Sequence, residues 1–256
     1  MPILNAVLKA AAPLPKIRSF QTFLFIGPHP DDIELGAGAT AAALAAEGKQ
    51  VFFLICTDGR FGTANRPDLQ PVELATLREK ESLASADALG VKEVRFLRLS
   101  DGGFYEQADL KKGIAAAVGE LKPDVIFAPD PCVTSECHPD HLNTGKAARE
   151  IAFFAPYAGI MAEYGAASAD VQALAYYYTA RPNQYVDTSG FLAKQKEALF
   201  GCHRSQFPEG CADEKSISLY LSLRAYDYGL RSLRRTAEGF RVLGKTQMHC
   251  LPEAGT

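Results

Sequence analysis

The chain has 256 residues, of which 47% are hydrophobic and 22% are charged, and its formal net charge is −3. This composition is that of an ordinary globular protein, and the charge argues against nucleic acid or an anionic membrane as the main partner. No run approaches the roughly 18 apolar residues of a membrane span. The six cysteines form no C-x-x-C pair, and the N-terminal stretch lacks a basic segment ahead of an unbroken apolar core. We therefore expect a cytoplasmic protein with reduced thiols.

Short apolar runs, rich in β-branched and aromatic residues, alternate with longer helical patterns in the first half of the chain. The predicted strands are residues 22–27, 51–56, 94–97 and 125–128. The predicted helices are residues 34–47, 72–89 and 108–121. Strands and helices that alternate at this spacing imply right-handed crossovers and a mostly parallel sheet, so the expected fold class is α/β.

Beyond residue 156 the pattern is weaker. It predicts strands at residues 173–179, 184–186 and 240–243, and helices at residues 191–202 and 216–235. Neither a linker nor a shift in composition separates this part from the rest. We expect one domain over residues 1–256, with a parallel α/β core at about 20–155 and a C-terminal elaboration at about 156–256.

Ligands of such sheets bind outside the carboxyl ends of the strands. The loop after the first predicted strand reads PHPDDIE, residues 28–34. Acidic residues near a helix start are common capping partners, which accounts for Asp32 or Glu34. Capping does not account for His29, which stands between two prolines and is followed by adjacent carboxylates.

The loop after the fourth predicted strand contains ECHPDH, residues 136–141. His138 and His141 are three residues apart at a predicted helix start, so their side chains can converge on one side of a turn. Three of the five histidines thus fall in two loops at one sheet edge, which predicts a metal ion. Cys137 is a weaker candidate for a ligand or nucleophile, because an isolated cysteine is usually a packing residue.

Two imidazoles and one carboxylate form a catalytic zinc site that leaves a coordination position for water. Zinc lowers the pKa of such a water to about 7 and polarises a carbonyl group. A second carboxylate can then accept the proton of the water, and a spare imidazole can stabilise an oxyanion or protonate a leaving amine. The two loops supply a candidate for each role.

The motif P-H-P-D-D before a glycine-containing helix start, with H-P-D-H later in the chain, resembles the PIG-L/LmbE-like N-deacetylase family. The resemblance implies a Rossmann-like three-layer sandwich and hydrolysis of the N-acetyl group of an N-acetylglucosamine-type conjugate, a small molecule. It implies zinc as the cofactor, although Fe²⁺ suits the same ligands. The implied site consists of the metal ligands His29, Asp32 and His141, the general base Asp31, the oxyanion or acid residue His138, and Asp140, which tunes His138.

Weaker similarities extend over most of the chain. Arg78, in a segment that resembles the L-R-x-x-E helix of the family, is expected to contact sugar hydroxyls. Asp101, in an S-D-G segment, is expected to hold the sugar, and residues 203–206 (HRSQ) resemble a segment that closes the pocket. Glu136 stands where some relatives have a tyrosine, which leaves a second oxyanion donor unassigned. Because such relatives often form trimers or hexamers, a homo-oligomer is also expected.

Three alternative functions fit the sequence less well. Residues 36–41 (GAGATA) satisfy the dinucleotide-binding pattern G-x-G-x-x-A, but the first glycine lies nine positions after Gly27, and Asp31, Asp32 and Glu34 would repel a pyrophosphate. A non-catalytic, metal-stabilised sugar-binding protein would use the same ligands, but it gives no reason for an extra carboxylate and imidazole. A serine hydrolase is disfavoured because no G-x-S-x-G motif is present.

Overall fold

A seven-stranded sheet forms the centre of the computed structural model, which describes Val7 and residues 10–249. The strands are β1 (Thr22–Gly27), β2 (Gln50–Thr57), β3 (Glu93–Leu99), β4 (Val125–Pro129), β5 (Ala173–Tyr177), β6 (Gln184–Asp187) and β7 (Ala237–Gly244). Their order is β3-β2-β1-β4-β5-β7-β6. The first five strands in this order are parallel, and β7 is antiparallel to both of its neighbours.

Helices cover both faces of the sheet. They are α1 (Asp32–Ala46), α2 (Pro71–Leu89), α3 (Gln107–Leu121), α4 (Pro139–Phe154), α5 (Ala158–Glu163), α6 (Leu192–Lys196) and α7 (Ala212–Ser232). The apolar side chains of α1 and α2 pack on one face, and those of α3 and α4 pack on the other. The predicted α/β class with a mostly parallel sheet is therefore confirmed, and the three layers are two helical layers around one sheet.

The continuous apolar run of β1 reflects burial on both faces of the sheet. Phe23 and Phe25 belong to the core on the α1 side, whereas Leu24 and Ile26 belong to the core on the α3 side. The Phe25 ring stacks on that of Phe127 in β4, with 4.1 Å between ring centroids. A strand of this kind lacks polar alternation, because both of its faces lie in the interior.

The strand order reverses between β1 and β4. The chain passes from β1 to β2 and β3 on one side, and β4 then pairs with β1 on the other side. The loops that follow β1 and β4 consequently leave the sheet side by side at its carboxyl edge, which is the position where open α/β sheets bind ligands.

The four strands and three helices predicted for the first half are confirmed, with boundaries that differ by a few residues. The C-terminal predictions need two corrections. The single helix predicted at residues 191–202 is α6 followed by a π-helical turn, Glu197–Cys202. The helix predicted at residues 216–235 begins earlier and ends at Ser232, because Leu233 adopts a left-handed conformation with φ of 57°. The sheet also continues across the predicted core boundary, since β4 pairs with β5.

Within the described residues, no helix has the length and apolar character needed to cross a membrane.

Two glycines allow helices to pack closely against the ends of β4 and β5. A Cβ atom at Gly36 would overlap the Tyr177 ring, and one at Gly145 would overlap the carbonyl oxygen of Pro129. Gly36 thus brings α1 against β5, and Gly145 brings α4 against the end of β4. The glycines at residues 36–41 therefore lie against other side chains of the protein, and their lack of a Cβ atom allows α1 to approach its neighbours closely.

The close approach of α4 to β4 makes a stability prediction. We expect Gly145→Ala to lower the free energy of unfolding by about 1–3 kcal/mol, because backbone atoms of the Pro129 loop must move to admit the methyl group. Gly159→Ala in α5 is the matched control, since its Cβ would meet nothing within 4 Å. Urea denaturation of both variants measures the free energies of unfolding. Equal values for Gly145→Ala and Gly159→Ala would show that the contact between α4 and Pro129 has room for a methyl group.

Candidate metal centre and active site

Three side chains from two loops meet at the carboxyl edge of β1 and β4. His29 and Asp32 follow β1, His141 lies in the first turn of α4, and one donor atom of each lies within 4.8 Å of the others. The Asp32 Oδ2 atom is 2.9 Å from His29 Nδ1 and 3.3 Å from His141 Nε2. The structure therefore brings together the three residues predicted as metal ligands, and two imidazoles with one carboxylate suit a divalent transition metal.

Each imidazole of this group has a second carboxylate on its other nitrogen. His141 Nδ1 is 2.9 Å from Glu136 Oε2, and His29 Nε2 is 3.0 Å from Asp140 Oδ2. A carboxylate in this position holds the proton on the outer nitrogen and leaves the lone pair of the inner nitrogen facing Asp32. In its neutral form each ring is thus held in the tautomer that a metal ligand needs, and the residues present fit a metal ion.

The charges of the group point to the same conclusion. Burial opposes a charge on His29, but hydrogen bonds with Asp140 and Asp32 outweigh it and raise the pKa of the imidazole to about 10. Burial likewise opposes a charge on His141, but the carboxylate of Asp32 raises its pKa to about 9. Despite burial, His141 and His29 hold the pKa of Asp32 well below its usual range. The surroundings therefore stabilise positive charge between these side chains.

A second group of possible ligands shares His29 and adds His138 and Asp140. Asp140 is fully buried, and its carboxylate already accepts hydrogen bonds from the backbone N–H groups of Gly102 (2.7 Å) and Gly103 (2.8 Å). Its Oδ2 atom lies 3.8 Å from His138 Nδ1, compared with 3.0 Å from His29 Nε2. The group with Asp32 is the better candidate metal site, because imidazole nitrogens of His29 and His141 both lie within 3.3 Å of a single carboxylate oxygen, Asp32 Oδ2.

Asp31 adjoins the metal group without belonging to it. Its φ angle is 112°, a region that favours glycine and costs a non-glycine residue about 1–3 kcal/mol. Its Oδ2 atom is 3.0 Å from the Arg78 guanidinium. Burial raises the pKa of Asp31 to about 6, although Arg78 opposes the shift. Strained residues of this kind cluster at active sites.

His138 stands at the open side of the group, with its ring centroid 4.6 Å from that of His29 and 5.0 Å from that of His141. Its Nδ1 atom accepts a hydrogen bond from the backbone N–H of Asp140, so a neutral ring carries its proton on Nε2. Burial, together with the positive charge of the other two imidazoles, lowers the pKa of His138. A neutral ring that donates from Nε2 suits the stabilisation of an oxyanion.

The two predicted sugar-binding residues have protein partners. Arg78 is 4% exposed and donates to the carbonyl oxygens of Pro30 (2.6 Å) and Gly59 (3.0 Å) as well as to Asp31. Asp101 is buried and accepts a hydrogen bond from the backbone N–H of Phe61 at 3.2 Å. Both residues lie in loops at the edge that holds the metal group, and their contacts with a sugar stay predictions.

The sequence did not indicate Tyr178 as a site residue. Its hydroxyl group donates to the backbone carbonyl and the Oδ1 atom of Asp32, and its ring stacks on His141 with 5.9 Å between centroids. Tyr178 directly follows β5, the next parallel strand beyond β4. Ligands bind at the carboxyl ends of the parallel strands, so the end of β5 is as much an expected position for a site residue as the ends of β1 and β4.

A buried polar pair joins the start of α1 to the segment at residues 203–206. His203 Nε2 is 3.1 Å from Glu34 Oε1, and both side chains are almost fully buried. Glu34 also accepts a hydrogen bond from Ser85 in α2. The segment predicted to close the pocket therefore packs against both α1 and α2, since its Ser205 Oγ atom donates to Glu81 of α2 at 2.7 Å. Its role in closing the pocket stays a prediction.

Imidazoles and carboxylates gathered at the switch point of a parallel α/β sheet, with a further carboxylate beside them, are the groups that a metal-dependent hydrolase requires. Residues 24–152 match the family model PIG-L, described as GlcNAc-PI de-N-acetylase. The chain belongs to this family and is a hydrolytic N-deacetylase.

Individual relatives agree with this assignment. The chain is 34% identical over 234 residues to the diacetylchitobiose deacetylase of Thermococcus kodakarensis, an alignment that covers 90% of this chain and 86% of the relative. It matches the structure of N,N′-diacetylchitobiose deacetylase from Pyrococcus horikoshii with a TM-score of 0.86 and 32% identity, over 98% of this chain and 95% of that one. The non-catalytic sugar-binding alternative is therefore not favoured.

The same fold also occurs in proteins of much lower sequence identity. The 4-carboxy-2-hydroxymuconate hydratase GalB from Pseudomonas putida matches with a TM-score of 0.72 at 17% identity, over 87% of this chain and 96% of that one. A similarity at this level shows a common fold and carries no inference about the reaction.

The metal assignment predicts the effect of removing each imidazole. We expect His29→Ala and His141→Ala to lose bound metal, because either change leaves only two protein ligands. We expect Glu136→Gln to weaken metal binding about 10–100-fold, since the amide cannot hold the His141 proton in the same way. Metal content is measured by inductively coupled plasma mass spectrometry after dialysis. His249→Ala, which alters an exposed histidine, is the control, and a metal-replete His141→Ala protein would contradict the assignment.

Proposed function

We propose that this enzyme is a zinc-dependent N-deacetylase of N-acetylglucosamine conjugates, and that its substrate is a disaccharide of the diacetylchitobiose type. The observation that carries the proposal is the carboxylate of Asp31, which pairs with Arg78 and adjoins the group formed by His29, Asp32 and His141 without belonging to it. The disaccharide is supported by the diacetylchitobiose deacetylases that match nearly the whole chain.

The proposed zinc ligands are His29, Asp32 and His141. A zinc ion bound there supplies Lewis acidity toward an amide carbonyl and lowers the pKa of water. Two imidazoles and a carboxylate also suit Fe²⁺, so zinc rests on the family resemblance together with this donor set.

Asp31 is the proposed general base. Arg78 holds Oδ2, and no hydrogen bond occupies Oδ1 within the described part of the chain. With a pKa of about 6, the carboxylate is ionised at neutral pH yet basic enough to accept a proton from the attacking water. The proposed role of Arg78 is to keep Oδ2 fixed, which leaves Oδ1 for proton transfer.

His138 is the proposed oxyanion partner, through its Nε2–H group. The water oxygen bonds to the acetyl carbon, and the carbonyl oxygen gains the negative charge that this group stabilises. The C–N bond then breaks as the amine nitrogen accepts from Asp31 the proton that the attacking water gave up, which gives acetate and the free amino sugar. Asp140 is proposed to support His138 through the backbone N–H that caps its Nδ1 atom, and to orient His29 through its carboxylate.

The sugar is proposed to lie over the loops after β2 and β3. The rings of Phe61 and Phe104 pack edge to face there with 5.9 Å between centroids, and both are at least half exposed. Asp101 joins the two loops through the backbone N–H of Phe61. Exposed aromatic rings can pack against the apolar face of a pyranose ring, and a carboxylate beside them can accept hydrogen bonds from its hydroxyl groups.

We also propose that the enzyme works in the cytoplasm. The five cysteines in the described part of the chain are all unpaired. Free thiols persist in a reducing compartment, whereas disulfides form in oxidising ones.

Turnover and metal content together test the role of Asp31. We expect Asp31→Asn to retain metal and to lower kcat about 10²–10⁴-fold, because the amide cannot accept a proton. Asp68→Asn, at an exposed carboxylate paired with Arg66, should leave both quantities unchanged. Loss of metal in Asp31→Asn with metal retained in Asp32→Asn would exchange the roles of the two aspartates. Unchanged turnover in Asp31→Asn would remove it from the mechanism.

A substrate panel tests the reaction itself. Purified enzyme is incubated with N-acetylglucosamine, diacetylchitobiose and N-acetylglucosamine linked to a polyol, and free amine is measured with and without a chelator. We expect diacetylchitobiose to give the highest kcat/KM, and we expect the chelator to abolish amine release in every case. Preference for the polyol conjugate would overturn the proposed disaccharide, and chelator-insensitive release would overturn the metal mechanism.

A further inference from the structure

Tyr178 contacts two of the proposed metal ligands from one side. Its hydroxyl group donates to the backbone carbonyl oxygen of Asp32 at 3.0 Å and to Asp32 Oδ1 at 3.2 Å. Its ring lies nearly parallel to that of His141, with an interplanar angle of 16°. A single side chain therefore restrains a carboxylate of the loop after β1 and an imidazole of α4 at the same time.

The backbone bends at Tyr178 to make these contacts. Its φ angle is 55°, in the left-handed region that a residue with a side chain rarely adopts. In an extended strand, Tyr177 and Tyr178 would point to opposite faces of the sheet. Their ring centroids are instead 4.8 Å apart, so the bend brings the ring of Tyr178 back toward Tyr177, which contacts β1. A strained residue that reaches into a site in this way points to a function there.

The two carboxylate oxygens of Asp32 have different neighbours. Oδ2 faces the imidazoles, at 2.9 Å from His29 Nδ1 and 3.3 Å from His141 Nε2. Oδ1 has one hydrogen-bond partner in the described part of the chain, the hydroxyl group of Tyr178. Because Asp32 is buried, loss of that hydroxyl would leave Oδ1 as a buried acceptor without a donor, free to turn toward a cation.

A carboxylate can bind a metal ion through one oxygen or through both. We propose that Tyr178 is a positioning residue, which holds Oδ1 of Asp32 and so limits this ligand to Oδ2. The proposal rests on the proposed function, in which His29, Asp32 and His141 hold the metal. One oxygen and two imidazole nitrogens then supply three donor atoms, which leaves a fourth position for the attacking water. A second oxygen from Asp32 would compete with water for that position.

A tether between α1 and β5 is the other role that these contacts allow. The bond from the Tyr178 hydroxyl to the Asp32 carbonyl would stabilise the start of α1 whether or not a metal is bound. Tyr177 forms a comparable tether, because its hydroxyl group donates to the carbonyl oxygen of Ile26 at 2.8 Å. Within the described residues it forms no hydrogen bond with the three proposed ligands, so it is a matched reference for Tyr178.

Tyr178→Phe separates the two roles, because it removes the hydroxyl group and keeps the ring beside His141. Wild-type and variant enzymes are stripped of metal and loaded with Co²⁺, whose visible absorption depends on the number and geometry of its ligands. We expect Tyr178→Phe to bind as much Co²⁺ as the wild type but with an altered absorption spectrum. After zinc is restored, kcat for diacetylchitobiose should fall about 10–100-fold, with KM within about twofold of the wild-type value.

Tyr177→Phe is the control, and it should lower thermal stability while the Co²⁺ spectrum and kcat stay at their wild-type values. The inference would be overturned by a Tyr178→Phe enzyme with an unchanged spectrum, an unchanged kcat or no bound Co²⁺. An equal spectral change in Tyr177→Phe would also overturn it. The wild-type enzyme tests the proposed function separately. Wild-type protein that binds no metal, or whose turnover resists a chelator, would overturn that function and this inference with it, whereas the variant results bear on Tyr178 alone.

Discussion

Backbone hydrogen bonds between β1 and β4 join two segments that are far apart in the sequence, in register from Phe23 with Val125 to Phe25 with Phe127. The metal group depends on this pairing, because His29 leaves the sheet after one of these strands and His141 after the other. A shift of one residue in register would reverse the faces of all side chains on one strand. The buried stacking of Phe25 on Phe127 opposes such a shift, so the core fixes the distance between the two histidines.

The polar residues around the metal group form a second layer that is itself anchored to the backbone. Asp140 fixes His29, and is in turn held by two backbone N–H groups of the loop after β3. Glu136 fixes His141 and also accepts the backbone N–H of His138 at 2.8 Å. Each imidazole is therefore oriented by a carboxylate that cannot easily turn away. Such preorganisation lowers the reorganisation needed for metal binding and catalysis.

The parts of this structure that follow from local pattern and topology could be predicted from the sequence. The strands around β1 were clear because they are buried on both faces, and the topology indicated that the loops with His29, Asp32 and His141 meet at one edge. The role of these three residues as metal ligands rests on the family resemblance and stays a prediction. The partners of Arg78 and the place of Tyr178 could not be predicted. They depend on how α2 and β5 pack against the loop after β1, and a sequence pattern carries no information about contacts between such distant segments. The end of α7 at Ser232 was not predicted, because leucine gives no signal for the left-handed cap that Leu233 forms.

Asp31 and Asp32 are neighbours with identical side chains, and the backbone between them decides their different environments. The positive φ of Asp31 turns the chain sharply at the start of α1, so that one carboxylate meets Arg78 and the other meets two imidazoles. Burial raises the pKa of Asp31 although Arg78 opposes the shift, whereas His141 and His29 lower the pKa of Asp32 despite its burial. The proposed base and the proposed ligand need opposite proton affinities, and the turn gives the two adjacent aspartates the different surroundings that this requires. The strained backbone at Asp31 is thus the structural cost of separating the two proposed functions.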